Sequence, residues 1–228
     1  MIHRSNRLLN KRGVNRKQRD SQNPARVYYP QRGGTSSAAN LLFLMSQSTV
    51  NNDTLFTSRI FKVVKKIITG RSGKPLERHI IIHPGAVAVL PVLNDGRIVL
   101  IRQYRVAIDK MLIEIPAGTL EPGEPPVSTA RRELIEETGY VAKTIMPVMT
   151  FYTSPGFVKE EMYLFKATGL ISGPTSLEDG EKIEPLLVTL DEAMSLIVKG
   201  EIHDAKTLTA LLWYKNQQSP AVLNSVQQ

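Results

Sequence analysis

Three glutamates near the middle of the chain have the spacing of a divalent-cation site. Glu136 lies three residues and Glu137 four residues after Glu133, so on an α-helix the three carboxylates share one face. Mg²⁺ and Mn²⁺ prefer carboxylate oxygens and commonly share their remaining positions with substrate phosphates. For an acidic helix taken alone, the simpler interpretation is a solvated face, offset here by Arg131 and Arg132.

The residues around these glutamates form one continuous pattern over residues 118–140. A glycine is followed, after five residues, by a glutamate, and after seven more by Arg-Glu-Leu; Glu-Glu and Gly-Tyr then follow, each after one residue. A chance match to the seven fixed Gly, Glu or Arg positions is expected on the order of once in a hundred million starting points. At every position the pattern resembles the Nudix box of the Nudix hydrolases, a family of metal-dependent pyrophosphohydrolases.

The resemblance implies two groups of residues within and beside the box. The oxygen ligands of the divalent ions, Mg²⁺ or alternatively Mn²⁺, would be Glu133, Glu137, less directly Glu136, and the backbone carbonyl of Ala117. The supporting residues, which orient those carboxylates or shape the loops, would be Gly118, Glu124, Arg132 and Gly139.

The sequences flanking the box resemble the ADP-ribose pyrophosphatase subgroup of this family. Glu114-Ile115-Pro116-Ala117-Gly118 precedes the box, and Pro155 lies 155 − 140 = 15 residues beyond Tyr140, where the subgroup carries a proline. The resemblance covers about residues 60–215. It implies hydrolysis of ADP-ribose to AMP and ribose 5-phosphate. A UDP- or GDP-sugar diphosphatase is the enzymatic alternative, and a nucleotide-sensing or RNA-binding module is the alternative of another class.

Five residues outside the box are candidates for substrate binding. A guanidinium fork matches phosphate oxygens, which favours Arg102 and Arg105, although each could equally form an ion pair at a sheet edge. The resemblance adds three further residues in the flanking segments: Glu114, Pro155 and Glu160.

The resemblance also implies an acidic loop that supplies the general base. The candidate segment, residues 177–184, contains Glu178, Asp179 and Glu181. Glu181 fits the position of the subgroup's acid best, as the base or as a further metal ligand, and Glu178 and Asp179 are rivals for the base. A merely polar loop is the alternative.

The elements that must position these residues can be predicted from local patterns. Apolar β-branched runs at residues 59–68 and 78–83 indicate a hairpin, and Asn94-Asp95-Gly96 predicts a second hairpin between residues 85–92 and 97–104. Three helices are predicted: one over residues 126–138, one that begins with a capping box at Thr189, and one that begins near Asp204. This order indicates an α/β or α+β domain. The resemblance specifies a Nudix α/β/α sandwich with a mixed sheet, preceded by a small antiparallel N-terminal sheet.

Charge divides the chain into regions. Residues 1–44 contain nine basic side chains and one acid, whereas the remainder has 29 − 9 = 20 basic and 21 − 1 = 20 acidic residues. The first region has the composition of a disordered arm. It could be a phosphate-seeking arm, a transit peptide, or upstream sequence of a gene whose true start is Met45. Residues 45–84 would form the N-terminal hairpin region and residues 85–228 the hydrolase domain. Because the body is neutral, nucleic acid is not expected as a partner.

Composition excludes other chemistries. The chain has no cysteine, which rules out disulfides, thiolate metal sites and cysteine nucleophiles. It has no apolar run near the roughly 20 residues of a membrane span, so no membrane association is expected, and the absence of cysteine and of a signal peptide favours the cytoplasm. The resemblance implies a homodimer in which the N-terminal hairpin packs on the partner and completes its substrate pocket.

Overall fold

The computed structural model describes residues 53–175 and 182–218, which form eleven strands and three helices. The strands are β1 (Asp53–Thr57), β2 (Lys62–Thr69), β3 (Pro75–Ile82), β4 (Ala86–Pro91), β5 (Ile98–Arg105), β6 (Lys110–Glu114), β7 (Ala117–Thr119), β8 (Tyr140–Tyr152), β9 (Val158–Lys159), β10 (Glu161–Ser172) and β11 (Ile183–Val188). The helices are α1 (Pro126–Thr138), α2 (Leu190–Val198) and α3 (Ala205–Gln217). The arm predicted over residues 1–44 lies outside the described residues.

The strands form three sheets. The N-terminal sheet has the order β1-β2-β3-β9, with β9 added parallel to β3. The central sheet, β7-β4-β10-β8, is mixed, because β4 and β10 run parallel while the other neighbours are antiparallel. The third sheet, β11-β5-β6, is antiparallel. The N-terminal sheet is thus larger than the predicted hairpin, since β1 and the two-residue β9 extend it on either side.

Strand β4 is buried along its whole length and separates two apolar clusters. Because alternate strand residues point to opposite faces, Val89 packs in the cluster that contains Leu134 of α1. Leu90 packs in the other cluster, with Ala193 of α2 and Leu211 of α3. Full burial of a side chain such as Leu134 stabilises the fold by roughly 1.5–3 kcal/mol. Helices therefore cover both faces of the sheet, and the predicted α/β/α sandwich is confirmed.

The helix ends follow the local sequence signals. Helix α1 has Pro126 in its first turn, and Gly139 ends it with a left-handed φ of 73° while its N–H donates to the carbonyl of Ile135. The predicted capping box is present at α2, where Thr189 and Glu192 bond each other's backbone N–H groups. Asp204 caps α3 by accepting from the N–H of Thr207.

The prediction that residues 85–92 and 97–104 form a hairpin is wrong, except for its turn. The turn at Asn94-Asp95-Gly96 forms, and Gly96 has the left-handed φ of 86° that such turns use. One bridge joins Val92 to Ile98, after which β4 and β5 separate into different sheets. Turn chemistry sets the chain reversal, whereas the partners of β4, which are β7 and β10, come from distant sequence.

Across residues 53–175 and 182–218, no helix is both long enough and apolar enough to cross a membrane.

Candidate active site

A cleft of about 780 Å³ contains most of the chemistry-bearing residues of the box. Its walls come from the turn between β1 and β2, from the end of β3, from β5, from the segment around β7, and from α1. The lining residues include Phe61, Gln103, Arg105, Ala117, Glu133 and Glu137. Fold topology therefore brings together residues from five separate parts of the chain.

Glu137 is a buried carboxylate at the base of this cleft. It is 2% exposed, and its Oε2 accepts a hydrogen bond from the N–H of Ala117 at 2.9 Å. A buried carboxylate is costly unless it is paired or coordinates a metal. The bond also fixes the backbone of Ala117, the residue expected to offer its carbonyl, against the helix that bears the acids.

Gly118 lies directly against the carboxylate of Glu133. A Cβ placed on Gly118 would come within 1.9 Å of the Glu133 Cδ, so any side chain there would displace the glutamate. The Glu133 side chain is only 12% exposed. The glycine at the start of the box is therefore explained by close approach rather than by a turn.

Arg132 holds three acids of the box with one guanidinium. Its Nη1 donates to Glu133 at 2.8 Å and to Glu136 at 2.9 Å, and its Nη2 donates to Glu124 at 3.3 Å. Burial lowers the pKa of Arg132, but the hydrogen bond to Glu124 and the charges of Glu133 and Glu136 outweigh it and raise that pKa. Burial raises the pKa of Glu124, and its nearness to the Thr129 hydroxyl and the hydrogen bond from Arg132 bring it below its ordinary value. These contacts support the orienting role that the resemblance implies.

The donor set fits a hard divalent cation. Glu133 and Glu137 both line the cleft, whereas Glu136 is not among its lining residues and is bonded to Arg132. Residues 53–175 and 182–218 contain no group of three or more Asp, Glu, His or Cys side chains already gathered around one point. Mg²⁺ is usually bound by one or two carboxylates together with waters and substrate phosphates, so two carboxylates beside the Ala117 backbone are a sufficient protein contribution.

A network of charged residues adjoins the cleft. Glu114 is 1% exposed and accepts from Arg105 through Nε at 2.8 Å and Nη2 at 2.6 Å. Lys206 of α3 also donates to Glu114, and it donates to Asp204 at 2.9 Å. Burial raises the pKa of Glu114, but the hydrogen bond from Arg105 and the charge of Lys206 outweigh it, so the pKa lies below its ordinary value.

Two of the cleft-side residues were not predicted from the sequence. Gln103 is 7% exposed, lines the cleft, and its Oε1 has no hydrogen-bond partner among the residues described. Lys206 is 9% exposed. A lysine two residues after a helix-capping aspartate is an ordinary pattern, and its partner Glu114 is 92 residues away in sequence, so no local signal marks it.

The other predicted substrate residues do not line the cleft. Because strand residues alternate, Arg102 points to the opposite face of β5 from Gln103 and Arg105, and it is exposed. Pro155 lines a second cavity of about 310 Å³, beside Phe157. Glu160 lines neither cavity. Its carboxylate accepts a hydrogen bond from the Thr153 hydroxyl, and its Oε1 lies 3.4 Å from Nδ1 of His83.

The predicted base residues Glu178, Asp179 and Glu181 lie outside the described residues. The chain that follows them is anchored beside the cleft, since Tyr104 N–H donates to the carbonyl of Lys182 at 3.4 Å. Ile183, the first residue of β11, pairs with Gln103 of the cleft wall.

Carboxylates and guanidinium groups around one cleft fit the metal-assisted hydrolysis of phosphoanhydrides. The chain belongs to the NUDIX family, whose domain model matches residues 82–211, and it is a Nudix pyrophosphohydrolase, as the box predicts. It is 37% identical over 177 residues to an ADP-ribose pyrophosphatase of Bacillus subtilis (strain 168), covering 77% of this chain and 96% of that protein.

Two other relatives carry different names. A methanol dehydrogenase activator of Bacillus methanolicus is 38% identical over 178 residues, covering 77% of this chain and 96% of the relative. A GDP-mannose pyrophosphatase of Cronobacter sakazakii is 41% identical over 137 residues, covering 56% of this chain and 71% of the relative. Among solved structures, an ADP compounds hydrolase matches with a TM-score of 0.65 and 25% identity, over 75% of this chain and 95% of its own.

Proposed function

We propose that this enzyme hydrolyses the pyrophosphate bond of ADP-ribose, with Mg²⁺, to give AMP and ribose 5-phosphate. The observation that carries the proposal is the meeting of Glu133, Glu137 and Arg105 in one cleft of about 780 Å³. That volume suits a nucleoside diphosphate compound, since small-molecule sites commonly measure roughly 300–1,000 Å³. The similarity to a named ADP-ribose pyrophosphatase over 96% of that protein supports the same substrate.

The chain's own residues then have distinct roles. Glu133 and Glu137 would hold the cation with the Ala117 carbonyl, and Arg132 keeps the carboxylate of Glu133 in place. When bound, the cation neutralises pyrophosphate charge and lowers the pKa of a water molecule. Arg105 has five N–H donors, of which two bond Glu114, so three remain for phosphate oxygens.

The general base comes from the loop before β11 in this proposal. Glu181 is the first choice, with Glu178 and Asp179 as rivals. The contacts of Lys182 and Ile183 with the cleft strand β5 support it, because they anchor the end of that loop beside the site. Substrate-binding roles for Arg102, Glu114, Pro155 and Glu160 stay predictions, as does the cytoplasmic location.

A substrate panel separates the enzymatic candidates. The full chain with Mg²⁺ is offered ADP-ribose, GDP-mannose and a UDP-sugar, and release of each nucleoside monophosphate is followed. We expect the highest kcat/KM on ADP-ribose. Preference for GDP-mannose would transfer the assignment to the second candidate, which the relative from Cronobacter sakazakii supports. No turnover of any compound would favour a binding module.

Replacing Glu137 by Gln tests the metal assignment. Glutamine keeps an acceptor for the Ala117 N–H but removes the charge, and we expect kcat to fall by roughly 10²–10³-fold, as when one electrostatic contact of a transition state is lost. Glu201→Gln, which changes an exposed acid outside the cleft, is the matched control and should behave as wild type. Unchanged hydrolysis by Glu137→Gln means that the metal ligands are elsewhere.

The basic arm is tested separately as a nucleic-acid element. RNA binding by the full chain and by a chain starting at Met45 is compared over a series of salt concentrations. A protein that contacts phosphates loses affinity steeply with salt, so the slope should fall on removal of the arm if residues 1–44 bind RNA. We expect indistinguishable curves, because nucleic acid is not a predicted partner.

A further inference from the structure

Lys206 is a buried lysine that the Nudix box does not explain. It lies in the first turn of α3 with 9% of its surface exposed, although lysines are almost never buried without a partner. Its ammonium donates to Asp204 at 2.9 Å and to Glu114. The partners satisfy its charge, but they do not account for the presence of a lysine behind the cleft.

Glu114 connects this lysine to the cleft. Its carboxylate, 1% exposed, is shared between Lys206 on one side and the Nε and Nη2 groups of Arg105 on the other. The Arg105 side chain is 37% exposed and lines the cleft. The buried Lys206 therefore contacts Glu114, the acid that fixes the Arg105 guanidinium, but Lys206 itself does not line the cleft.

The charge of Lys206 affects how strongly Arg105 can attract an anion. With Lys206 present, one carboxylate faces two cations, so Arg105 is not the sole compensating charge of Glu114. Without Lys206, Arg105 alone would have to neutralise a carboxylate held in a low-dielectric interior. Its field toward an anion in the cleft would be weaker, and its guanidinium would be drawn toward Glu114.

Simple docking of α3 does not require this lysine. Thr207, the next residue, already attaches α3 to the segment before β7, because its hydroxyl accepts from the N–H of Ile115 at 2.9 Å. Removing a purely structural contact changes stability and leaves substrate affinity nearly intact. A positioning contact changes affinity for the group that Arg105 binds.

We propose that Lys206 is a positioning residue for the substrate's pyrophosphate: by sharing Glu114, it holds the Arg105 guanidinium in place and leaves more of its positive charge for the substrate. The inference rests on the proposed function only in requiring a pyrophosphate substrate, which ADP-ribose and GDP-mannose share. It predicts a change in KM and in equilibrium affinity, with little change in kcat.

The test compares Lys206→Met with Lys215→Met in the full chain. Lys215 is an exposed lysine of the same helix, paired with Asp191, and does not contact Glu114. Binding of ADP-ribose is measured by calorimetry with a chelator present, and KM and kcat are measured with Mg²⁺. We expect Lys206→Met to raise the dissociation constant and KM about five- to tenfold with kcat within about twofold, which would mark loss of binding shared by ground and transition states. Lys215→Met should match wild type.

A double-mutant cycle identifies the route of the effect. In an Arg105→Lys background, Lys206→Met should change KM by less than about twofold, because residues that share one ion-pair network, here through Glu114, are not additive. If the KM of the double variant rose by the product of the two single effects, Lys206 would act independently of Arg105, and the proposal would be overturned. Unchanged ADP-ribose affinity in Lys206→Met alone would overturn it as well. If Lys206→Met melts below the assay temperature, Lys206→Gln at lower temperature gives the same comparison.

Failure of the inference and failure of the proposed function give different results. Wild type that binds GDP-mannose but not ADP-ribose ends the substrate proposal and leaves Lys206 testable with GDP-mannose. Wild type that binds neither compound nor inorganic pyrophosphate ends both. Wild type that binds ADP-ribose with the same affinity as Lys206→Met ends the inference alone.

Discussion

At the scale of single residues, Gly118 leaves no room for a side chain beside the carboxylate of Glu133. Alanine at position 118 would place its Cβ 1.9 Å from the Glu133 carboxyl carbon and force that carboxylate to move. We expect Gly118→Ala to weaken Mg²⁺ activation by about 10–100-fold, comparable with loss of a group that orients a ligand. A titration of activity against Mg²⁺ measures the change.

Gly96→Ala is the matched control for this steric effect. Gly96 has open space around it but a left-handed φ of 86°, so alanine there should cost roughly 1–2 kcal/mol of stability and leave the Mg²⁺ dependence unchanged. Equal Mg²⁺ titrations for the two variants would contradict the importance of the Gly118 contact.

The buried ion network predicts a pH dependence of stability. Burial raises the pKa of Glu114, but Arg105 and Lys206 outweigh it and depress that pKa below 4.5. A depressed carboxyl pKa stabilises the fold above its unfolded-state value, and this contribution is lost as pH falls from about 4.5 through the folded-state pKa. Urea unfolding of wild type between pH 6 and pH 3 should record the loss.

Glu114→Gln should flatten this acid dependence. Because Lys206 keeps Asp204 as a partner and Arg105 is 37% exposed, loss of their shared acid should also cost less at neutral pH than the roughly 3–5 kcal/mol of a fully buried pair. Unfolding free energies of the two proteins at each pH measure both effects. If the variant loses stability with acid as steeply as wild type, another carboxylate is responsible.

The sequence predicts the residues of the box far better than those around it. The contacts of Glu133, Glu137 and Arg132 lie within one helix and its preceding loop, so spacing is informative there. Lys206 and Gln103 reach the site only through pairing of distant segments. Tertiary contacts of this kind leave no local pattern.

At the scale of elements, the docking of α3 is the contact most open to test. Thr207 is fully buried, and its hydroxyl is the acceptor for the N–H of Ile115. Valine has nearly the same shape but leaves that buried N–H unpaired, which should cost about 1–3 kcal/mol. Thr209→Val is the control, since the Thr209 hydroxyl bonds only Ala205 within its own helix. Denaturant unfolding of both variants measures the difference, and equal losses would exclude a special role for the Ile115 contact.

Helices were easier to predict than sheets for a physical reason. Caps such as Thr189 with Glu192, or Asp204 with Thr207, act within one turn of the helix they begin. Sheet partners are set by contacts across the chain, so β4 pairs with β10 rather than with its neighbour β5. Strand β9, only two residues long, has no period by which to be recognised.

At the scale of the whole molecule, we propose a homodimer formed through the N-terminal sheet. The resemblance supplies the proposal, and the exposed apolar side chains of β1 support it, since Leu55 is 53% and Phe56 is 55% exposed. Large apolar side chains exposed on an edge strand such as β1 can mark an interaction site. The pairing would place a second copy next to the turn between β1 and β2, which lines the cleft.

The mass of the assembly in solution distinguishes a dimer from a monomer. Light scattering at micromolar concentration should give 2 × 25.4 = 50.8 kDa for wild type. A Leu55→Ser, Phe56→Ser double variant should shift toward 25.4 kDa, because it removes apolar area whose burial contributes roughly 25 cal/mol per Å². Val198→Ser alters a side chain that is 88% exposed on α2 and should stay dimeric. A monomeric wild type would contradict the dimer, and a dimeric double variant would move the interface to another face.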